Sequence, residues 1–89
     1  MIYLRPRSIS VAGRRTTVRL EEAYWDELRR MAAEKRMSIA QIVTAIDATR
    51  PRNLSSAIRV FILRDVRASL ERTRIREENL KTPTLLTRT

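Results

Sequence analysis

The chain has 89 residues, room for one small domain at most, and a core of that size sits near the limit of what folds without a disulfide, a metal or a second copy. Cysteine and histidine are both absent, which excludes a disulfide framework, a thiolate nucleophile, a Cys/His zinc site and imidazole acid–base catalysis. Nineteen basic residues against ten acidic ones give a net charge of +9, an imbalance that suggests an anionic partner, nucleic acid before an acidic membrane. The charge is segregated: residues 1–19 carry five arginines and no acid, the middle of the chain is slightly acidic, and the excess returns after residue 50. The longest apolar run, Val60-Phe61-Ile62-Leu63, is far too short to span a bilayer. Met1 to Pro6 lacks the basic and apolar regions of a signal peptide, so the expected location is the cytoplasm, near the nucleoid.

In chain order, residues 1–13 are expected to form an N-terminal arm. Within it Ile9 and Val11 alternate with Ser8 and Ser10, and Gly13, the only glycine, interrupts the pattern. Whether this stretch extends the next strand or forms one of its own stays open. A hairpin turn at Gly13-Arg14 is conceivable, although Gly-Arg is not a favoured pair for one. From Arg14 to Leu20 the alternation is clear: Thr16, Val18 and Leu20 on one face, Arg15, Thr17 and Arg19 on the other, the mark of a β-strand.

Glu21-Glu22 suits the positive end of a helix dipole. Trp25, Leu28, Met31 and Ala32 then fall on one helical face, and Lys35-Arg36 close the helix. Ser38-Ile39-Ala40-Gln41 has the form of a capping box and opens a second helix with Ile39, Ile42, Val43 and Ile46 as its stripe. Pro51 ends it. Asn53 or Ser55 caps a third helix, with Ile58, Ile62, Val66 and Leu70 at i+4 spacing. The layout is therefore an arm (1–13), a strand and two helices (14–48), an additional helix for dimerisation or partner binding (49–80), with the Val60–Leu63 run favouring extra dimer core, and a flexible tail (81–89): mainly α with one β-strand.

A single strand leaves rows of backbone N–H and C=O groups without partners. With no second strand firmly available in the chain, antiparallel pairing with its own copy is the expected remedy, giving a twofold homodimer. The outward face would then present Arg15, Thr17 and Arg19 twice on a two-stranded ribbon, a shape that fits the DNA major groove.

Strand, helix and capped helix in a small basic chain resemble the ribbon-helix-helix family of DNA-binding regulators, the Arc and MetJ type, over about Arg14 to Ala48. The residues that carry the likeness are Arg15-Thr16-Thr17-Val18-Arg19-Leu20 with the helix that follows, and Met37-Ser38-Ile39-Ala40-Gln41-Ile42-Val43. The resemblance implies an intertwined homodimer with a two-stranded antiparallel β-ribbon. It assigns base contacts to Arg15, Thr17 and Arg19, with Arg14 and the second helix's N-terminus (Ser38, Ile39, Ala40) on phosphates. Two features depart from the pattern: Arg36 stands where many members have glycine, and the helix after Asn53 is additional.

Each feature also has a plainer explanation. The strand arginines could be a solvated face, Ser38 only a cap, and Arg5 and Arg7 parts of a mobile arm. Trp25 and Phe61 suit core anchors better than stacking platforms, and four aromatic residues are few for a single-strand binder. The expected function is sequence-specific double-stranded DNA binding by a homodimer that acts as a bacterial transcriptional repressor or autoregulator. The alternative is the antitoxin of a toxin–antitoxin pair, its C-terminal helix holding a protein partner. An enzyme is not expected, since neither a paired-acid motif nor a glycine-rich phosphate loop is present; no metal, cofactor or membrane role is expected.

Overall fold

The computed structural model describes residues 3–81. The expected tail, 81–89, lies outside the described residues except for Lys81. Two strands, β1 (Leu4–Val11) and β2 (Arg14–Glu21), precede three helices, α1 (Glu22–Lys35), α2 (Ile39–Asp47) and α3 (Leu54–Lys81).

The expectation of one strand is corrected to two, and the segment expected as an arm is mostly strand. β1 and β2 pair antiparallel, with Val11 opposite Arg14, Ile9 opposite Thr16, Arg7 opposite Val18 and Arg5 opposite Leu20. The turn is Ala12-Gly13, one residue earlier than the Gly13-Arg14 alternative. Both of its residues have positive φ, +52° and +82°, as a two-residue type I′ turn needs to match the twist of the flanking strands. Glycine takes that conformation freely; alanine does not. Ala12→Asn should therefore stabilise the protein by about 0.5–1 kcal/mol, because asparagine tolerates the left-handed region. A denaturant midpoint no higher than that of the parent chain would refute this.

The register sorts the faces. Ile9, Val11, Val18 and Leu20 point inward and are buried, and they meet Trp25, Leu28 and Met31 of α1, Ile42, Val43 and Ile46 of α2, and Ile58 and Ile62 of α3 in one core. Thr16, on the same side, is half-buried. Trp25 is fully buried; its indole N–H donates to the Arg5 carbonyl at 2.9 Å, and Arg7 lies over its ring at 5.5 Å. Arg5 in turn pairs with Glu22 at 3.2 Å. Both arginines of the expected arm are thus tied to α1.

α1 ends on Arg36 in the left-handed conformation (φ +55°), and the Met37 N–H donates to the Ala32 carbonyl. An arginine here does what the family commonly asks of glycine, at the strain a Cβ imposes. α2 starts with the expected capping box: the Gln41 N–H donates to Ser38 Oγ at 3.0 Å, and the Ser38 N–H to Gln41 Oε1 at 2.8 Å. Of the two candidate caps of α3, Asn53 is the one used, its Oδ1 accepting from the Ser56 N–H.

α3 is held by ions as well as by Ile58 and Ile62. Arg30 bonds Glu27, Glu34 and Asp65, the last at 3.0 Å, and Lys35 reaches Asp65 at 3.3 Å. Burial alone would raise the Asp65 carboxyl, but hydrogen bonds from Arg30 and Lys35 outweigh it and hold the group below its ordinary value. Arg59 bonds Glu21 at the end of β2 and lies over the Tyr24 ring. The expected role of Phe61 as a core anchor needs correction: it is 38% exposed, and Leu70, expected in the buried stripe, is 65% exposed. The stripe at i+4 spacing outlasts the domain beneath it.

Candidate nucleic-acid interface

Side chains alternate along a strand, so the inward row of the hairpin defines the outward one. On β2 that row is Arg15, Thr17 and Arg19, and all three are exposed. On β1 it is Ser10 opposite Arg15, Ser8 opposite Thr17, and Pro6 opposite Arg19; these too are exposed. The three residues expected to read bases are therefore brought together on one surface, backed by a packed core that fixes their spacing.

Several arginines elsewhere are engaged within the fold. Arg5, Arg29, Arg30, Arg59 and Arg74 are in ion pairs. Among the described residues, none of the salt bridges involves Arg14, Arg15 or Arg19, although nine are formed. The acid nearest along β2, Glu21, is engaged with Arg59, and its carboxyl lies below the ordinary value. Its own backbone amide is the main cause, with Arg59 adding to it against the opposing effect of burial. The outward face thus carries uncompensated positive charge.

The expected phosphate contacts are divided between two places. Arg14 is exposed but lies at the hairpin tip opposite Val11, on the other face from Arg15 by alternation. Ser38, Ile39 and Ala40 form the N-terminus of α2, and Ile39 and Ala40 line one cleft together with Arg7, Ser8, Ser10 and Arg15. The helix start and the basic strand face therefore open onto the same space. The Ser38 hydroxyl serves as cap, while the first amides of a helix have no partner within the helix and point outward. Ser38→Ala should cost about 1 kcal/mol of stability through loss of the cap. The check is chemical denaturation; an unchanged midpoint would mean the box contributes nothing.

Ser8 and Ser10 escaped the sequence-based assignment. Their alternation with Ile9 and Val11 was visible, but membership of the outward face depends on the turn, and Ala-Gly is a weak turn signal. Among the described residues no group of carboxylates is placed to hold a metal ion, and no helix is long and apolar enough to cross a membrane.

A basic two-stranded ribbon carried on α1 and a capped α2 defines the class of fold to which this protein conforms. The ribbon-helix-helix domain family matches residues 4–66, and the chain belongs to that family. Among solved structures, an uncharacterized protein from Bordetella pertussis Tohama I is similar, with a TM-score of 0.67 and 29% identity. The likeness covers 79% of this chain and 61% of that one, so the chain spans less than two thirds of that protein's length. No curated protein matches. Domains of this family generally dimerise and bind DNA and are typically not enzymes.

Proposed function

We propose that the protein is a sequence-specific double-stranded DNA-binding homodimer that acts as a bacterial transcriptional repressor or autoregulator. The observation that carries this reading is the outward row Arg15, Thr17 and Arg19, exposed and free of ion pairs, with Arg15 lining a cleft shared with Ile39 and Ala40 at the N-terminus of α2. Arginine bonds guanine O6 and N7 in bidentate fashion, and threonine offers a hydroxyl and a methyl to neighbouring bases. The amides of Ile39 and Ala40 favour an adjacent phosphate.

The hairpin removes the original need for a second copy, since β1 already pairs one edge of β2. The other edge remains. In an antiparallel pair the residues flanking a two-residue turn are hydrogen-bonded partners, so Ser10–Arg15, Ser8–Thr17 and Pro6–Arg19 are the non-bonded pairs. The N–H and C=O groups of Arg15, Thr17 and Arg19 therefore point away from β1. On the far edge of β1 the corresponding position holds Pro6, which has no N–H to donate, and α2 lies alongside, with Thr44 Oγ1 accepting from the Ala12 N–H. β2 is the edge that can accept a strand. Its own copy supplies one, giving the order β1-β2-β2-β1 across a twofold axis near Thr17.

The test is selection of bound sites from random duplex DNA at two salt concentrations, with an Arg15→Ala/Thr17→Ala/Arg19→Ala variant beside the parent. The expected result is an enriched motif that the variant loses while staying folded and dimeric. Equal binding by the variant would overturn the base-reading assignment.

A second reading, a protein partner held by α3 as in an antitoxin, is favoured by the exposure of Val60, Leu63, Leu70, Ile75 and Leu80. Co-purification with a small protein encoded beside it would support it.

A further inference from the structure

The hairpin adds residues to the outward surface that the strand before α1 does not have by itself. Ser8 and Ser10 stand directly opposite Thr17 and Arg15, both exposed and both lining the cleft that Ile39 and Ala40 open onto. We infer that Ser8 and Ser10 are DNA phosphate contacts that flank the base-reading row, placed at the walls of the major groove. The inference rests on the DNA-binding reading and on pairing through β2.

The width of the groove favours phosphate over base. Neighbouring strands lie about 4.8 Å apart, so in a sheet of order β1-β2-β2-β1 each β2 is about 2.4 Å from the twofold axis and each β1 about 7 Å. The major groove of B-DNA is about 12 Å wide, or about 6 Å on each side of its midline. The two central strands fit between the phosphate walls; the outer strands lie over them. A serine there meets a phosphate oxygen and not a base edge, and its hydroxyl is a donor suited to that acceptor. The apolar and structural residues of β1 agree with this division. Ile9 and Val11 face the core, and Pro6, opposite Arg19, offers no donor on the free edge.

The alternative docking is a single hairpin entering the groove as the whole ribbon, with β1 beside the midline and the serines on base edges. The two arrangements differ in what the serines control. A neutral hydroxyl on phosphate adds affinity without sequence information and releases no counterion, so it leaves both the motif and the salt slope unchanged.

The experiment compares the parent chain with Ser8→Ala/Ser10→Ala and Ser8→Thr/Ser10→Thr variants, all shown to be folded by circular dichroism. Fluorescence anisotropy is measured on the selected duplex and on a scrambled duplex, and site selection is repeated. The alanine pair should lose at least about tenfold in affinity on both duplexes, since four hydroxyls per dimer are removed. Its motif and salt slope should match those of the parent, and the threonine pair should recover most of the binding. A changed motif would overturn the inference in favour of base contact, and undiminished affinity would overturn it outright. If the parent chain binds no duplex at all, the DNA-binding reading itself fails, a result distinct from either.

Discussion

Trp25→Ala is expected to cause the largest loss of stability of any single substitution in the core. The side chain is fully buried at the meeting point of the hairpin and α1, and truncating a buried tryptophan costs about 3–5 kcal/mol in lost contacts and residual cavity. A domain of this length has on the order of 4–13 kcal/mol in total, so the loss takes most of a stability at the lower end of that range. Two further contacts go with it: the indole N–H to the Arg5 carbonyl and the platform under Arg7. The free end of β1 is therefore the part expected to detach first. Trp25→Phe retains most of the apolar volume and loses the hydrogen bond, so it should cost less than half as much. Denaturant titration followed by circular dichroism measures both variants without relying on the single tryptophan's fluorescence. A Trp25→Ala midpoint close to that of the parent would mean that this residue does not join hairpin to helix.

DNA affinity should fall steeply with salt. If the ribbon arginines without ion pairs, Arg14 beside the phosphates and Arg15 and Arg19 within the groove, together displace about four to six condensed counterions per dimer, raising salt from about 50 to about 200 mM weakens binding on the order of 10²–10³-fold. The cause is re-condensation of counterions on the freed phosphates, so the loss is similar on selected and unrelated duplexes. Arg14→Ala refines the expectation. Arg14 lies at the hairpin tip and not on the reading face, so its removal should flatten the salt slope by about 2 per dimer, one phosphate for each protomer, and leave the preferred motif intact. Arg15→Ala should instead relax the motif at the positions it contacts. A salt slope near zero for the parent would contradict the electrostatic part of the function; an altered motif in Arg14→Ala would contradict its placement.

Much of this molecule was legible in the residues themselves, and the reasons are local. Thr16, Val18 and Leu20 alternate with Arg15, Thr17 and Arg19, and a half-buried strand has a period of two, so the two faces of β2 follow without any tertiary information. Ser38 and Gln41 satisfy each other's backbone within one helical turn, so the start of α2 is set by four consecutive residues. Asn53 does the same for α3. The net charge and the lack of cysteine and histidine narrow the chemistry before any fold is known.

Tertiary structure decided the rest. β1 has the pattern of a strand, but a strand exists only through its partner. That pairing depends on an Ala-Gly turn whose first residue bears a strained positive φ, a cost repaid by burying Ile9 and Val11 against α1 and α2. Arg5 and Arg7 could be assigned to a mobile arm or to DNA until Glu22 and the Trp25 ring were seen to engage them. Phe61 and Leu70 have the spacing of core residues, but burial depends on what lies opposite: Phe61 is only partly covered, beside Ile46 of α2, and Leu70 stays 65% exposed. The same distinction holds for the site. Residue types along β2 indicate a face suited to DNA, whereas only the packing shows that its arginines form no ion pair, that Ser8 and Ser10 stand opposite Thr17 and Arg15, and that α2 lies along β1.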